Sequence, residues 1–206
     1  MKKTGFTLAE VLISLAIVGV VSAIAIPTFV SNTQAQSNVA KLSTVASALE
    51  NALTTMIASE AAIDLTDTTF GKNYSEESLS TALDELSKFL KFSESEGHGG
   101  NTAYGGITAP KWKLTKSGAY LGFETTAGSD ENATANSIGR ILIDVNGRTK
   151  PNKEGKDIFA YAIGEDGILY PAGSSNYKTL YGDTACEGDV GIGCTATIVE
   201  NGYKLK

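Results

Sequence analysis

Residue types able to do chemistry are few and widely spaced in this 206-residue chain. Its one histidine, His98, sits in Gly97-His-Gly-Gly100 with no nucleophile motif beside it, and no Gly-x-Ser-x-Gly elbow occurs. Asp64, Asp67, Glu76 and Glu77 lie in polar surroundings typical of loops and helix ends, where water keeps carboxylates ordinary and unsuited to acid–base work. Neither Gly97–Gly100 nor the glycine-rich stretch 188–193 carries the Lys-Ser/Thr that a phosphate cradle needs. Asp144, Asn146 and Asp157 could turn oxygens toward one Ca²⁺ ion, which takes six to eight such ligands. Their spacing departs from the calcium-loop pattern and no bidentate glutamate follows, so the expected role of these three is to cap turns through the local backbone. Neither an enzyme nor a cofactor is expected.

Cys186 and Cys194 lie eight positions apart. In an exported protein they would form a disulfide, and closing so short a loop contributes roughly 2.5 kcal/mol. In a reducing compartment they would remain two thiols. Zinc wants four Cys/His ligands, and the whole chain offers three.

The remaining conspicuous group is Glu10, a carboxylate at the head of a long apolar run. Apolar residues make up 42% of the chain, with a dense block from Phe6 to Val30 and a Gly-, Ser- and Thr-rich remainder. The length suits one globular unit plus an appendage. A net charge of −6 argues against a nucleic-acid binder, whose phosphate contacts need a Lys/Arg-rich face. Removal of Lys2 and Lys3 with a leader would take 17 basic residues to 15 against 23 acidic ones, a net −8 suited to a soluble exterior.

Met1-Lys-Lys-Thr-Gly5 is a short basic leader, followed by Phe6-Thr-Leu-Ala-Glu10 and an apolar stretch ending at Ile26-Pro27. A secretory signal would have this shape, and Ala23-Ile-Ala25 supplies a small-x-small cleavage pattern. A plain transmembrane anchor also fits, since the run approaches the ~20 residues needed to span a bilayer. Neither has a use for Glu10, because a charge near an inserting helix opposes insertion by a few kcal/mol.

Gly5-Phe6-Thr7-Leu8-Ala9-Glu10 before an apolar run resembles the class III signal of type IV prepilins and type II secretion pseudopilins. The resemblance covers about the first thirty residues, Pro27 included. It implies cleavage between Gly5 and Phe6 by a prepilin peptidase, N-methylation of Phe6, and retention of the apolar stretch. It further implies that Glu10 recruits the subunit into a filament by pairing with the new amino terminus at Phe6 of a neighbour. A lone carboxylate among apolar helices is costly, and a nearby ammonium recovers much of that cost. The implied partners are copies of the chain and related pilins, the peptidase, an assembly platform with its ATPase, and the inner membrane that holds the precursor. Direct nucleic-acid binding is not expected. The implied destination is an extracellular pilus filament or a periplasmic pseudopilus. A surface-anchored binding protein that never polymerises is the alternative of another class, and in it Glu10 would be dispensable.

The elements that must position these residues follow from periodicity. Residues 1–5 read as the leader, 6–30 as an apolar helix that Pro27 should bend, and 31–206 as the head. Val39, Leu42, Val45, Leu49, Leu53 and Met56 or Ile57 continue the helix to about residue 62 as an amphipathic stripe. Leu79, Leu83, Leu86, Phe89 and Leu90 predict a second helix over about 75–92. Strand-like runs at 111–116, 119–126, 140–145, 158–163 and 168–170, separated by turn signals such as Asn146-Gly147, predict an antiparallel sheet over about 111–172. A disulfide loop would follow at 186–194. The expected class is α+β, a long N-terminal helix packed on an antiparallel head, which resembles the pilin order. Within the head, Ile141–Gly147 through Pro151-Asn152 to Gly155-Lys-Asp157-Ile-Phe159 is similar to a segment recurrent in bacterial pilin-like heads. The tyrosines between Tyr170 and Tyr181 would pack on the sheet or form an adhesive surface.

Overall fold

A computed structural model of the chain describes residues 5, 7–93, 102–128, 136–147, 149, 152–188 and 190–204. Phe6, His98 with its neighbouring glycines, and Pro151 lie outside them. The long periodic stretch forms one helix, α1 (Leu8–Ser59), and its assignment runs through Pro27. The chain divides into two compact units, Met1–Ser37 and Asn38–Lys206.

In the first unit no described residue is buried. In the second, α1 contributes Val39, Leu42, Val45, Leu49, Leu53 and Met56 to the core at steps of three and four, as predicted, together with Asn38, Ala46 and Ala52. Its last turn ends on Ala61, which has φ +48, and the Ala62 N–H donates back to the Ile57 carbonyl at 3.1 Å. A short 3₁₀ turn (Leu65–Asp67) and α2 (Thr69–Lys72) follow. The predicted second helix, α3, spans only Leu79–Phe89. Its expected first turn is diverted because the Ser78 hydroxyl donates to the Asn73 carbonyl at 2.8 Å and lies 2.6 Å from the Ser75 hydroxyl, an alternative to helical bonding that serine readily takes.

Among the described residues there are eight strands: β1 (Phe92–Ser93), β2 (Thr102–Tyr104), β3 (Ile107–Ala109), β4 (Lys111–Thr115), β5 (Tyr120–Glu124), β6 (Ser137–Asp144), β7 (Ile158–Gly164) and β8 (Leu169–Pro171). Six of them form an antiparallel sheet in the order β1-β4-β5-β6-β7-β8, and the five longest runs read from the sequence are its β4 to β8. The separate β2-β3 hairpin was not anticipated, although Gly105-Gly106 is a two-residue turn signal and both glycines have positive φ. Two short helices close the chain, α4 (Ser175–Tyr181) and α5 (Cys194–Glu200).

The register sorts side chains onto two faces. Pairs Phe123↔Ile141, Leu121↔Ile143, Ile141↔Tyr161 and Ile143↔Phe159 belong to the core shared with α1 and α3. The alternate residues, Leu142, Ala160 and Ala162, belong to a second core with Ile107, Trp112, Tyr170, Tyr177 and Ile192. The head is therefore layered on both sides of its sheet, which is why β7 is buried at every position. Small residues make the second layer possible: a Cβ on Gly122 would lie 2.7 Å from the Trp112 ring.

A buried ion pair marks the sheet margin. Arg140 donates to both oxygens of Glu124, at 2.9 and 3.1 Å, and its guanidinium lies 4.7 Å from the centre of the Tyr181 ring. Burial pulls the Arg140 pKa down, but the bound Glu124 carboxylate more than compensates and leaves it raised. Tyr181 in turn bonds to the Ser137 hydroxyl at 2.9 Å and donates to the Thr126 carbonyl at 2.8 Å. Burial pushes its phenol up to about 12. The tyrosine cluster thus packs rather than projects, with Tyr177 fully buried.

Two outcomes are expected. A methyl at Gly139 would lie 2.6 Å from the Tyr74 ring and closer still to the Glu124 carbonyl, so Gly139→Ala lowers stability by about 1–3 kcal/mol in chemical denaturation. Because the folded state holds the Tyr181 proton more tightly than the unfolded one, its contribution is complete below pH 10 and is lost as pH rises through about 12. Tyr181→Phe, less stable at pH 7, should show a shallower loss of melting temperature over that interval.

Candidate functional site

Over the N-terminal half of α1 the sequence is apolar on every side, so no face can be assigned to water. All large apolar residues from Leu8 to Val30 are exposed, from 46% at Val11 to 79% at Leu8. Covering those thirteen side chains is worth about 1.5–3 kcal/mol each, tens of kcal/mol together. Length and hydropathy make this helix a candidate membrane span, with a mean hydropathy of 2.5 over its most apolar window. None of the described residues in this half is buried.

Glu10 is the sole charged residue between Gly5 and Ala40. Thr7, just ahead of α1, accepts from the Glu10 N–H through its hydroxyl oxygen at 3.3 Å. In return, Glu10 Oε2 accepts from the Thr7 N–H at 2.8 Å and from the Thr7 hydroxyl at 2.7 Å. This is a reciprocal capping box, in which two of the helix start's unpaired donors, the Thr7 and Glu10 N–H groups, find acceptors in each other's side chains. Sequence reasoning assigned Glu10 to filament assembly and overlooked its partner, although Thr-x-x-Glu at a helix start is a recognised signal. One turn further on, the Ser14 hydroxyl donates to the Glu10 carbonyl at 2.7 Å, so Glu10, Val11, Ser14, Leu15 and Val18 line one apolar surface bearing a single carboxylate. Around Pro27, which lacks an N–H, the Thr28 hydroxyl donates to the Ala25 carbonyl at 2.9 Å. The scissile dipeptide read from the sequence is described only at Gly5, which is exposed.

The other candidates lie in the head. Asp144 and Asp157 are buried, and Asn146 stands between them. Asp144 Oδ1 accepts from the N–H groups of Asn146 and Gly147, at 3.2 and 2.8 Å. Asp157 accepts from the Asn146 amide at 3.1 Å and from the Lys153 N–H. Burial raises the Asp157 pKa, and these donors oppose the rise. Among the described residues, no group of three or more His, Cys, Asp or Glu side chains is placed to hold a metal ion.

Cys186 and Cys194 form a disulfide with their Cα atoms 4.8 Å apart. It fastens the loop before α5, whose backbone reaches the head through the Gly191 N–H to the Glu154 carbonyl at 3.2 Å and the Ala196 N–H to the Ala172 carbonyl at 2.9 Å. Glu154 also accepts from the Gly105 N–H at 2.7 Å, so this loop and the β2-β3 hairpin close over the same face of the sheet.

Among known protein families, a model of the prokaryotic N-terminal methylation motif matches residues 1–26. No curated protein matches the chain. A motif of this kind implies processing by a prepilin peptidase and assembly with other pilins. Leader, capped glutamate and uncovered apolar helix thus fall within one matched segment, and the chain carries the class III prepilin signal of type IV pilins and pseudopilins.

Proposed function

We propose that the chain is a structural subunit of a type IV pilus, cleaved between Gly5 and Phe6, N-methylated at Phe6, and polymerised through residues 6–30 while its head faces the exterior. The observation that carries this reading is an all-apolar helix that its own chain leaves exposed, bearing one carboxylate at the start of the methylation motif. A bilayer covers such a helix before assembly, and neighbouring copies cover it afterwards. Glu10 then selects the register: a new ammonium at Phe6 of a neighbour can pair with it, and a slipped subunit would leave the charge unpaired in an apolar bundle. The size of the head and its disulfide-closed loop favour a pilus over the short pseudopilus of a secretion or DNA-uptake system. No catalytic role and no cofactor enter this reading. Asp144 and Asp157 act as turn caps, supported by the backbone N–H groups their oxygens accept, and the Asn146 side-chain amide donates to Asp157.

Mass spectrometry of protein sheared from cells should give N-methyl-Phe6 as the first residue; a terminus at Ile26 or an intact Met1 would refute the proposed processing. Glu10→Ala should cut the sheared, filamentous fraction at least tenfold while the membrane fraction persists. Glu10→Gln keeps an acceptor for the Thr7 N–H but no charge, so it should fail as Glu10→Ala does, whereas Thr7→Ala should cost the helix start about 1 kcal/mol and still assemble. Assembly by Glu10→Gln would assign the residue to helix capping alone. Titration of the detergent-solubilised protein with Ca²⁺ should leave its melting temperature unchanged.

A further inference from the structure

The head carries a groove of about 230 Å³ between α1, the residues after α3, and the β4-β5 turn. Its floor is apolar, formed by Val45, Ala48 and Leu90, and its rim carries Lys91, Lys116 and Ser117. Both lysines are exposed, and neither has an ion pair among the described residues. On a chain of net charge −6, two exposed ammonium groups beside an apolar floor give the groove a basic rim.

A matching feature lies beyond the far end of α1. Ile63 is 90% exposed, far more than any other large apolar side chain reported exposed in this unit. Acidic residues surround it in sequence, with Glu60 and Asp67 exposed on either side. The corner is held firmly: Glu60 Oε2 accepts from the Thr69 N–H and hydroxyl at 2.7 and 2.8 Å, Asp64 caps the 3₁₀ turn, and the Leu65 N–H donates to the Glu165 carbonyl at 2.6 Å. An isoleucine so exposed on a fixed corner is preorganised for a contact, because little side-chain or loop entropy remains to be lost on binding.

Corner and groove are complementary in kind, an apolar knob between carboxylates and an apolar floor between lysines. They cannot meet within one head. From Val45 to Ser59 the helix rises about 21 Å at about 1.5 Å per residue, and Ile63 lies beyond its end. We infer that the groove receives the Ile63 corner of a second copy of this chain, with Lys91 and Lys116 facing its Glu60 and Asp67. The two surfaces differ, so the contact is heterologous; repeated without closure, it generates an open filament. This deepens the polymerisation reading and rests on it. The rim charges select the partner and its orientation, whereas the buried isoleucine supplies most of the affinity.

The test places cysteines at both surfaces, Ile63→Cys with Ser117→Cys, in the full-length chain assembled by its own cells. Sheared filaments, oxidised and run without reductant, should give a ladder of multimers from the double variant and none from either single variant. Filaments in normal yield without the ladder would overturn the contact while leaving polymerisation through α1 intact; absence of filaments from the unaltered chain would instead refute polymerisation. A cross-link to a different protein in place of the ladder would give the groove to another partner and also overturn the inference. Exposed-site charge reversal provides a measurement independent of cysteine geometry: Lys91→Glu with Lys116→Glu should lower filament yield at least fivefold, and adding Asp67→Lys, which leaves the Glu60 bonds to Thr69 in place, should restore part of it. Unchanged yield in the first of these variants would also count against the contact.

Discussion

A helix that buries nothing against its own chain over its first thirty residues imposes a condition that only a second phase can meet. Leu8 to Val30 have their large apolar side chains exposed, and the free energy at stake in covering them, tens of kcal/mol, exceeds the 5–15 kcal/mol by which a domain is ordinarily stable. The environment that takes up this surface, lipid or other helices, therefore governs where the molecule resides. Backbone groups add a second condition. In an apolar phase an unsatisfied donor costs several kcal/mol, and the reciprocal bonds between Thr7 and Glu10 satisfy the entry of the helix from within. The same carboxylate that is costly in an apolar phase thus also satisfies a donor at the start of the helix.

The second unit meets the ordinary condition of a soluble domain in a less ordinary way. One face of the sheet is filled by the α1 stripe and α3, as the three- and four-residue spacing of Val39 to Met56 requires. The opposite face is closed by chain with little regular structure, the β2-β3 hairpin, α4 and the disulfide loop. Short segments of this kind bury too little to hold themselves in place. The links among them carry that load: Cys186–Cys194, the Gly105 N–H to Glu154, and the Ala160 N–H to the Thr195 hydroxyl at 3.2 Å. Such a cover gives the head two cores instead of one, with Gly122, Ala160 and Ala162 leaving room for Trp112, Tyr170 and Tyr177 above them.

Legibility in the sequence tracked the length over which a pattern repeats. The long helix, its buried stripe and strands β4 to β8 were readable because each is a periodic run several residues long. Strand β1 has two residues and the hairpin strands three each, too short for a period to register, and α4 and α5 have seven each with their apolar faces set by tertiary contacts. Two features were readable and passed over. Seven consecutive small or apolar residues in Ile158–Gly164 signal a strand covered on both faces, where a one-sided sheet would alternate. Thr7-x-x-Glu10 announces a capping box, a use of Glu10 within its own helix that stands beside the assembly role implied by the resemblance. The residues of the groove could not be joined by any sequence rule, since they meet only through the placement of α1, the residues after α3 and the β4-β5 turn.

Carboxylates looked like the chain's chemistry and act instead as its joinery. Glu60 holds Thr69, Asp64 caps the turn after α1, Asp144 and Asp157 tie the loop between β6 and β7, and Glu124 anchors Arg140. A carboxylate that accepts backbone N–H groups is held in place by them, which suits capping. The acidic balance of the chain follows from this use: many turns need an acceptor, Asp and Glu provide it, and their charge keeps the exterior soluble. Among the large apolar side chains described in the head, Ile63 departs furthest from burial, and the proposed contact with a second copy would give it a partner.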